Sequence, residues 1–334
     1  MKAFKPHPLL RQRDVMTVAS AFWRRNYPSL PAAEERLFEV VPGTKILGRC
    51  HWQAERQSAP TIALVHGLEG SSESGYMLGI ANLAFAAGFN AVRLNQRNCG
   101  GTEALTSTIY NSGLSADFRF VLEELIARDG LSQIFFCGYS MGGNLVLKMA
   151  GELGGSAPTE LRGVAAVAPI IELSTCVDAL DRRRNFLYQQ NFVRSLKSRL
   201  RRKIALHPKI YSYDGMGRVR SVREFDDVFT AKHSGYLSAG DYYQRCSAAR
   251  VIDRICVPAL IIYAQDDPFV PPRIFDTREV RGNRNITLLS TPYGGHCGFI
   301  SSDRAERHWA EARVVEFARG LLRENKNSGT TDEH

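Results

Sequence analysis

Residues 138–142 read Gly-Tyr-Ser-Met-Gly, and they sit between two segments of opposite character. Before them, residues 133–137 (Gln-Ile-Phe-Phe-Cys) form an apolar run of strand length. After them, residues 143–150 (Gly-Asn-Leu-Val-Leu-Lys-Met-Ala) mostly favour helix. A Gly-x-Ser-x-Gly wedged between a buried strand and a helix has to reverse the chain within a few residues. That forces the serine into a strained backbone conformation and pushes its hydroxyl out of the sheet. Glycine at 138 and 142 leaves room for neighbouring backbone where a Cβ would collide. The helix that starts after Ser140 aims unpaired N–H groups, and its positive dipole end, at whatever the serine attacks.

The rest of the chain supplies a sheet for that turn to sit on. Residues 36–41 and 45–52 read as an antiparallel pair turned by Pro42-Gly43. Residues 61–65 are a buried strand that runs into His66-Gly67-Leu68-Glu69-Gly70. Ile80, Leu83, Ala84 and Ala87 then recur at helical spacing, with Gly88 as the stop. Strand 91–94 leads to the turn-rich residues 95–101, and Phe118, Val121, Leu122 and Leu125 mark another helix face. Strands follow at 133–137, 163–167, 259–263 and 286–289, and Ala310, Val314, Phe317 and Leu321 stripe a closing helix. Buried, non-alternating strands that take turns with helices predict an α/β fold: a mostly parallel, eight-stranded sheet covered on both faces.

The alternation breaks between residues 171 and 249, a basic, aromatic and helical stretch without a clear strand. We therefore expect an arm over 1–35 with weak structure, a core over 36–170, an inserted helical cap over 171–249, the rest of the core over 250–323, and a polar, disordered tail over 324–334.

Composition removes some functions. The 334 residues are 44% hydrophobic, yet no window holds about 18 uninterrupted apolar residues, so no membrane-spanning helix is expected. The N-terminus lacks the apolar core of a signal peptide. Seven scattered cysteines contain no Cys-x-x-Cys, which fits reduced thiols in a cytoplasmic protein better than disulfides or a zinc site. A net charge of +9 is moderate and is compatible with a plain basic surface or an anionic partner.

A serine hydroxyl is a weak nucleophile near neutral pH and needs a base in contact, itself oriented by a third group. Candidates stand at the expected strand ends. After strand 259–263 come Asp266 and Asp267, either of which could orient and neutralise an imidazole. After strand 286–289 comes Gly294-Gly295-His296, a histidine on a glycine-bounded loop expected to be mobile enough to reach Ser140. The order Ser…Asp…His is the one this strand–turn–helix arrangement calls for. The oxyanion formed on attack needs preset donors. The N–H of Met141, directly after the nucleophile, is one; the backbone N–H of Leu68 is assigned as the other. His66 is read as a loop brace rather than a second base.

With those pieces in hand, the chain resembles the α/β-hydrolase superfamily, in the branch of YheT-like proteins and ABHD-type esterases and lipases. The resemblance is carried by residues 66–72, 95–101, 138–144, 266–269 and 294–299, and by Arg223-Glu224-Phe225-Asp226-Asp227 with the later Tyr242-Tyr243. It covers nearly everything except the arm and the tail. It implies a Ser140–His296–Asp267 triad, with Asp267 favoured over Asp266 because Pro271 follows it by four residues. It further implies hydrolysis of small acyl esters or lipids through an acyl-enzyme, without cofactor or metal. Asn98 stands where similar proteins more often have glycine; asparagine tolerates a left-handed backbone, so the turn is expected to survive.

Within the cap, Val193, Leu196, Leu200 and Ile204 share one helical face, while Arg194, Lys197, Arg199, Arg201, Arg202 and Lys203 crowd the others. The plainer expectation is a helix packed by its apolar stripe with its charges in water. The sharper one is peripheral contact with an anionic membrane. No nucleic-acid motif accompanies the charge, so no nucleic-acid partner is expected. Phe186, Leu187, Phe192, Phe225, Phe229, Tyr236 and Tyr242 are candidates to line an acyl pocket. A roofed pocket predicts a preference for short to medium chains. The rival functions are an acyltransferase, a lipase or phospholipase working at an anionic surface, and a non-catalytic binding module.

Overall fold

A computed structural model describes residues 2–328, with side chains to residue 324. Its centre is one eight-stranded sheet: β1 (Glu34–Val41), β2 (Thr44–His51), β3 (Thr61–Val65), β4 (Asn90–Leu94), β5 (Ile134–Tyr139), β6 (Leu161–Val167), β7 (Ala259–Ala264) and β8 (Ile286–Thr291). The strands lie in the order β1-β2-β4-β3-β5-β6-β7-β8. β1 and β2 pair antiparallel, as do β2 and β4; every other neighbouring pair is parallel.

The central strands β3, β4, β5 and β7 are buried at every position, and mostly apolar, because both of their faces are covered. Along β5, Ile134 and Phe136 enter one core cluster, with Val121, Leu125 and Leu145. Phe135 and Cys137 enter the opposite one, with Ile80, Ala84 and Val314. Successive side chains of a strand point to opposite faces, so an unbroken apolar run is what a sheet between two helix layers requires. The longer helices are α1 (Arg13–Phe22), α2 (Gly75–Ala86), α3 (Ser115–Ala127), α4 (Met141–Leu153), α5 (Leu173–Leu180), α6 (Phe186–Leu206), α7 (Ala239–Cys246) and α8 (Trp309–Ser328); of these, α2, α3, α4 and α8 pack on the sheet. Each fully buried Phe or Ile contributes on the order of 1.5–3 kcal/mol.

Residues 171–249 hold α5, α6, α7 and shorter helical turns, and among the described residues no strand. The apolar stripe of α6 packs inward as expected: Val193, Leu196, Leu200 and Ile204 are all buried. Its charges do not all face water, and this corrects the sequence reading. Arg199 and Lys203 are themselves buried. Arg199 pairs with Glu69, Arg202 with Glu103, and the Lys203 ammonium donates to the Glu103 and Thr106 carbonyl oxygens. A helix of this width buries about a third of its circumference, and the long stems of arginine and lysine let cations at the stripe's edge turn inward to reach acceptors.

The arm is also more ordered than expected. α1 is a ten-residue helix, capped by the Gln12 side chain on the Val15 N–H. Its buried Met16 packs with Leu10 and Ile300. At the other end, α8 continues through Ser328, so the first residues of the expected tail are helical; residues 329–334 lie outside the described residues. Among the described residues, no helix is long and apolar enough to cross a membrane.

Candidate active site

Parallel strands deliver the loops that follow them to one edge of the sheet, where open α/β sheets place their ligands. Here β3 delivers residues 66–70, β5 delivers Ser140, β7 delivers Asp266 and Asp267, and β8 delivers His296. Ser140 is the N-cap of α4, with φ 52° and ψ −114°. That left-handed strain is the sharp turn foreseen in the sequence. Its N–H donates to the Val167 carbonyl (2.9 Å), which ties the turn to the neighbouring strand. The flanking glycines are obligatory for a concrete reason. A Cβ on Gly138 would overlap the Gly142 carbonyl, and one on Gly142 would overlap the carbonyl oxygens of Val65 and His66.

Three side chains meet at this turn. The Ser140 hydroxyl lies 2.9 Å from His296 Nε2. His296 Nδ1 lies 2.8 Å from Asp267 Oδ2. The other oxygen of Asp267 accepts the N–H groups of Phe269 (2.8 Å) and Val270 (3.0 Å), which fixes the carboxylate. Asp266 points elsewhere and accepts the Gly295 N–H at 2.9 Å, bracing the histidine loop from below. Of the two adjacent acids, then, Asp267 touches the imidazole and Asp266 holds the loop that carries it. Burial opposes charge on His296, but the Asp267 carboxylate overrides it and pushes the imidazole well above its ordinary value.

The histidine loop is tied down rather than loose. Besides the Asp266 contact, the His296 N–H donates to the Thr17 hydroxyl on α1 (2.8 Å), and the Phe299 N–H donates to the Gly294 carbonyl. Gly295, at φ 55°, has no space for a Cβ because α1 lies against it. Nothing in residues 1–35 signalled this role. Thr17 is an ordinary helix residue until its partner, 279 positions later, is known.

Met141 opens α4, so its N–H has no partner one turn earlier in the helix. Leu68 follows β3 on a tight turn closed by Gly70 N–H to Gly67 carbonyl (3.1 Å). His66 is fully buried. Its Nε2 accepts the Gln96 N–H (3.1 Å) and its Nδ1 donates to the Gly67 carbonyl (2.8 Å). Burial lowers it to about 4, so it stays neutral and acts as the brace expected. Asn98 does take the left-handed conformation, with φ 52°.

Over these groups lies a cavity of about 100 Å³ whose wall includes Ser140, His296, Leu68 and Met141. Its apolar lining comes from the loops that follow the strands and from residues within 171–249. Of the cap residues expected to line it, Phe192, Phe225 and Tyr242 do. Phe186 and Leu187 do not: they are 59% and 80% exposed. Phe229 packs into the core beside Phe225, and Tyr236 packs at a tilt against Tyr242 from outside the lining.

Residues 60–303 match the family described as alpha/beta hydrolase fold. The chain is 33% identical over 267 residues to YheT of Escherichia coli K12, a protein named as a candidate esterase, covering 79% of this chain and 78% of that one. It is 29% identical over 273 residues to the mouse phospholipase ABHD3, covering 79% of this chain and 66% of the relative. Among solved structures, the 2,6-dihydroxy-pseudo-oxynicotine hydrolase superposes with a TM-score of 0.61 at 16% identity, over 92% of this chain and 72% of that one; this likeness is one of fold. The nucleophile-type turn, the strand order and these matches together make the chain a member of the α/β-hydrolase family.

Proposed function

We propose that the chain is a serine carboxylesterase that hydrolyses short- to medium-chain acyl esters through an acyl-enzyme. The observation that carries this is the contact chain from Ser140 through His296 to Asp267, at 2.9 and 2.8 Å, at the head of an apolar cavity. Ser140 Oγ attacks the acyl carbon while its proton passes to His296 Nε2. The oxygen that gains charge is held by the N–H groups of Leu68 and Met141. His296 then gives the proton to the leaving alkoxide, the alcohol departs, and an acyl group remains on Ser140. Water repeats the sequence and releases the acid. Asp267 holds the imidazole in the tautomer that keeps Nε2 free to accept, and balances the charge when it does.

The relatives named as an esterase candidate and as a phospholipase support acyl esters, lipids among them, as the substrate class. Each buried substrate methylene gains about 0.8 kcal/mol at most, so a roofed cavity rewards chain length only until its wall is met. We take the cap to be residues 171–249. A lipid-surface reading built on the basic side of α6 is weakened, because Arg199, Arg202 and Lys203 are engaged with the body of the protein.

The test is kcat/KM across p-nitrophenyl esters from acetate to palmitate, with and without anionic vesicles, together with fluorophosphonate labelling of Ser140. An optimum at short to medium length supports the closed cavity. A profile rising through palmitate with strong vesicle activation would replace it with a lipase. Ester formation from added ethanol in preference to hydrolysis would favour the acyltransferase. Failure of Ser140 to label would favour a binding module.

A further inference from the structure

The buried cation at the middle of α6 has a partner whose position bears on the chemistry. Arg199 and Glu69 form a two-point pair, Nε to Oε1 at 3.0 Å and Nη2 to Oε2 at 3.2 Å. Both side chains are nearly removed from solvent, at 9% and 10% exposure. The remaining nitrogen, Nη1, donates to the Asn98 carbonyl. Glu69 is gripped twice more by Tyr110, whose hydroxyl donates to its carboxylate (2.6 Å) and accepts its backbone N–H (3.2 Å). The Arg199 guanidinium also lies 5.3 Å from the Tyr110 ring centroid.

Glu69 is the residue after Leu68, and its backbone is left-handed, with φ 58°. An L-residue adopts that conformation only where surroundings enforce it. Here it belongs to the tight turn closed by the Gly70 N–H on the Gly67 carbonyl, and the bonds of Glu69 to Arg199 and Tyr110 hold that turn in place. The direction of the Leu68 N–H depends on the same turn. Arg199 stands between Leu196 and Leu200 on α6; all three contribute to the cavity wall, with the Arg199 guanidinium committed to Glu69 and the Asn98 carbonyl. One segment of helix therefore both roofs the substrate and grips the oxyanion turn.

We infer that Arg199 is a positioning residue: through its paired contact with Glu69 it fixes the turn that aims the Leu68 N–H at the developing oxyanion, so that this one contact, rather than the anchoring of α6 in general, sets the strength of transition-state stabilisation. The inference rests on the serine-esterase reading. Lys203, one turn further along α6, makes the natural comparison. It anchors the same helix to the Glu103 and Thr106 carbonyls, in the loop after β4, and makes no contact with the turn at Leu68.

The experiment measures kcat and KM on p-nitrophenyl butyrate, inhibition by an alkyl trifluoromethyl ketone, and Tm, in the full chain. Such a ketone adds to the serine and places an oxyanion where the ester's would form. For Arg199→Met, kcat should fall roughly 10- to 100-fold, less than the roughly 10²- to 10³-fold that removing an oxyanion donor outright would cost, with KM changed less than about threefold. Ketone affinity should weaken in step with kcat/KM. Arg199→Lys keeps the charge but not the fork and should fall between. Lys203→Met should lower Tm yet leave kcat within about twofold.

Because Arg199→Met strands a buried carboxylate, the double variant Glu69→Gln/Arg199→Met is included; it should fold and show the same loss of kcat. The inference is overturned if the double variant keeps wild-type kcat, or if the Arg199 and Lys203 variants lose activity in parallel with ketone affinity unchanged. An inactive, unlabelled wild type would sink the esterase reading and this inference with it; an active wild type with an unaltered Arg199→Met sinks this inference alone.

Discussion

The turn around Ser140 and the seat of α6 solve the same problem, holding a group still, with different materials. At Ser140 the neighbours are backbone: carbonyl oxygens of Val65, His66 and Gly142 fill the places where side chains would be. Beneath α6 the neighbours are long cations and their acceptors, Arg199 on Glu69 and Lys203 on two carbonyl groups. Backbone against backbone has no give, whereas an arginine or lysine stem can swing to another rotamer. The first arrangement should fail abruptly when altered, and the second should fail by degrees.

The harshest way to break the comparison is Gly142→Ala. Its Cβ meets two carbonyl oxygens of the adjoining strand end, so the cost should exceed about 4 kcal/mol and soluble, folded protein should be lost. Circular dichroism and soluble yield would check it, and a well-folded variant would show that the turn has more give than its packing indicates. Ser140→Ala comes next: ester turnover should fall by roughly 10⁴-fold or more with Tm unchanged, read by steady-state kinetics and thermal melting.

Third, Asp267→Asn should lower kcat by about 10³- to 10⁴-fold by presenting the wrong tautomer, while Asp266→Asn, which only alters a brace on Gly295, should cost less than about 10-fold. A reversed pair of values would show that the acid facing the imidazole is not the one that serves it.

Fourth, the pH profile. With its folded-state pKa raised, His296 holds its proton to higher pH and must lose it to act as base, so kcat/KM should rise with pH along a limb whose midpoint lies above 6.5. The stability linked to the charged His296–Asp267 pair runs the other way. It is fully present below the unfolded value near 6.5 and is lost as pH rises through the folded one. In Asp267→Asn, the midpoint of any residual activity should drop toward 6.5.

The mildest case is Lys203→Met. Burial lowers this ammonium to about 8, so losing it removes a costly charge as well as two hydrogen bonds. The net destabilisation should be about 1–2 kcal/mol, a fall of a few degrees in Tm measured by calorimetry.

The same contrast explains what the chain's own letters could disclose. The turn at Ser140 is legible because everything that forces it is local: an apolar strand, two glycines, a helix start. The doubly covered sheet is legible from strands such as Ile134–Tyr139, in which no position is polar enough to face water. Asp267 stands out because it follows a strand of that kind, Ala259–Ala264, and His296 because glycines precede it on the loop after the last strand. The inward turn of Arg199 and Lys203 had no local mark. Their acceptors lie about 100 or more positions earlier, and a cation at the edge of an apolar stripe reads the same whether it faces water or a carbonyl. Thr17 was illegible for the same reason. Glu69 carried a faint signal, an acid inside a glycine-bounded turn, whose meaning required a cationic partner from the cap.

The hydrogen bond from the His296 backbone to Thr17 has a counterpart in time. On a ribosome, α1 is made before the loop it braces, with 279 positions between Thr17 and His296. Other contacts knit the same two stretches: His7 N–H to the Ile300 carbonyl, Trp309 Nε1 to the Lys2 carbonyl, and Phe4 against Phe299 and Trp309. Contacts of such wide separation close the longest loops in the chain, and their entropy must be met before they return any stabilisation. α1 therefore waits, undocked, until the stretch that carries His296 has been made, and the histidine gains its brace only when the two stretches come together.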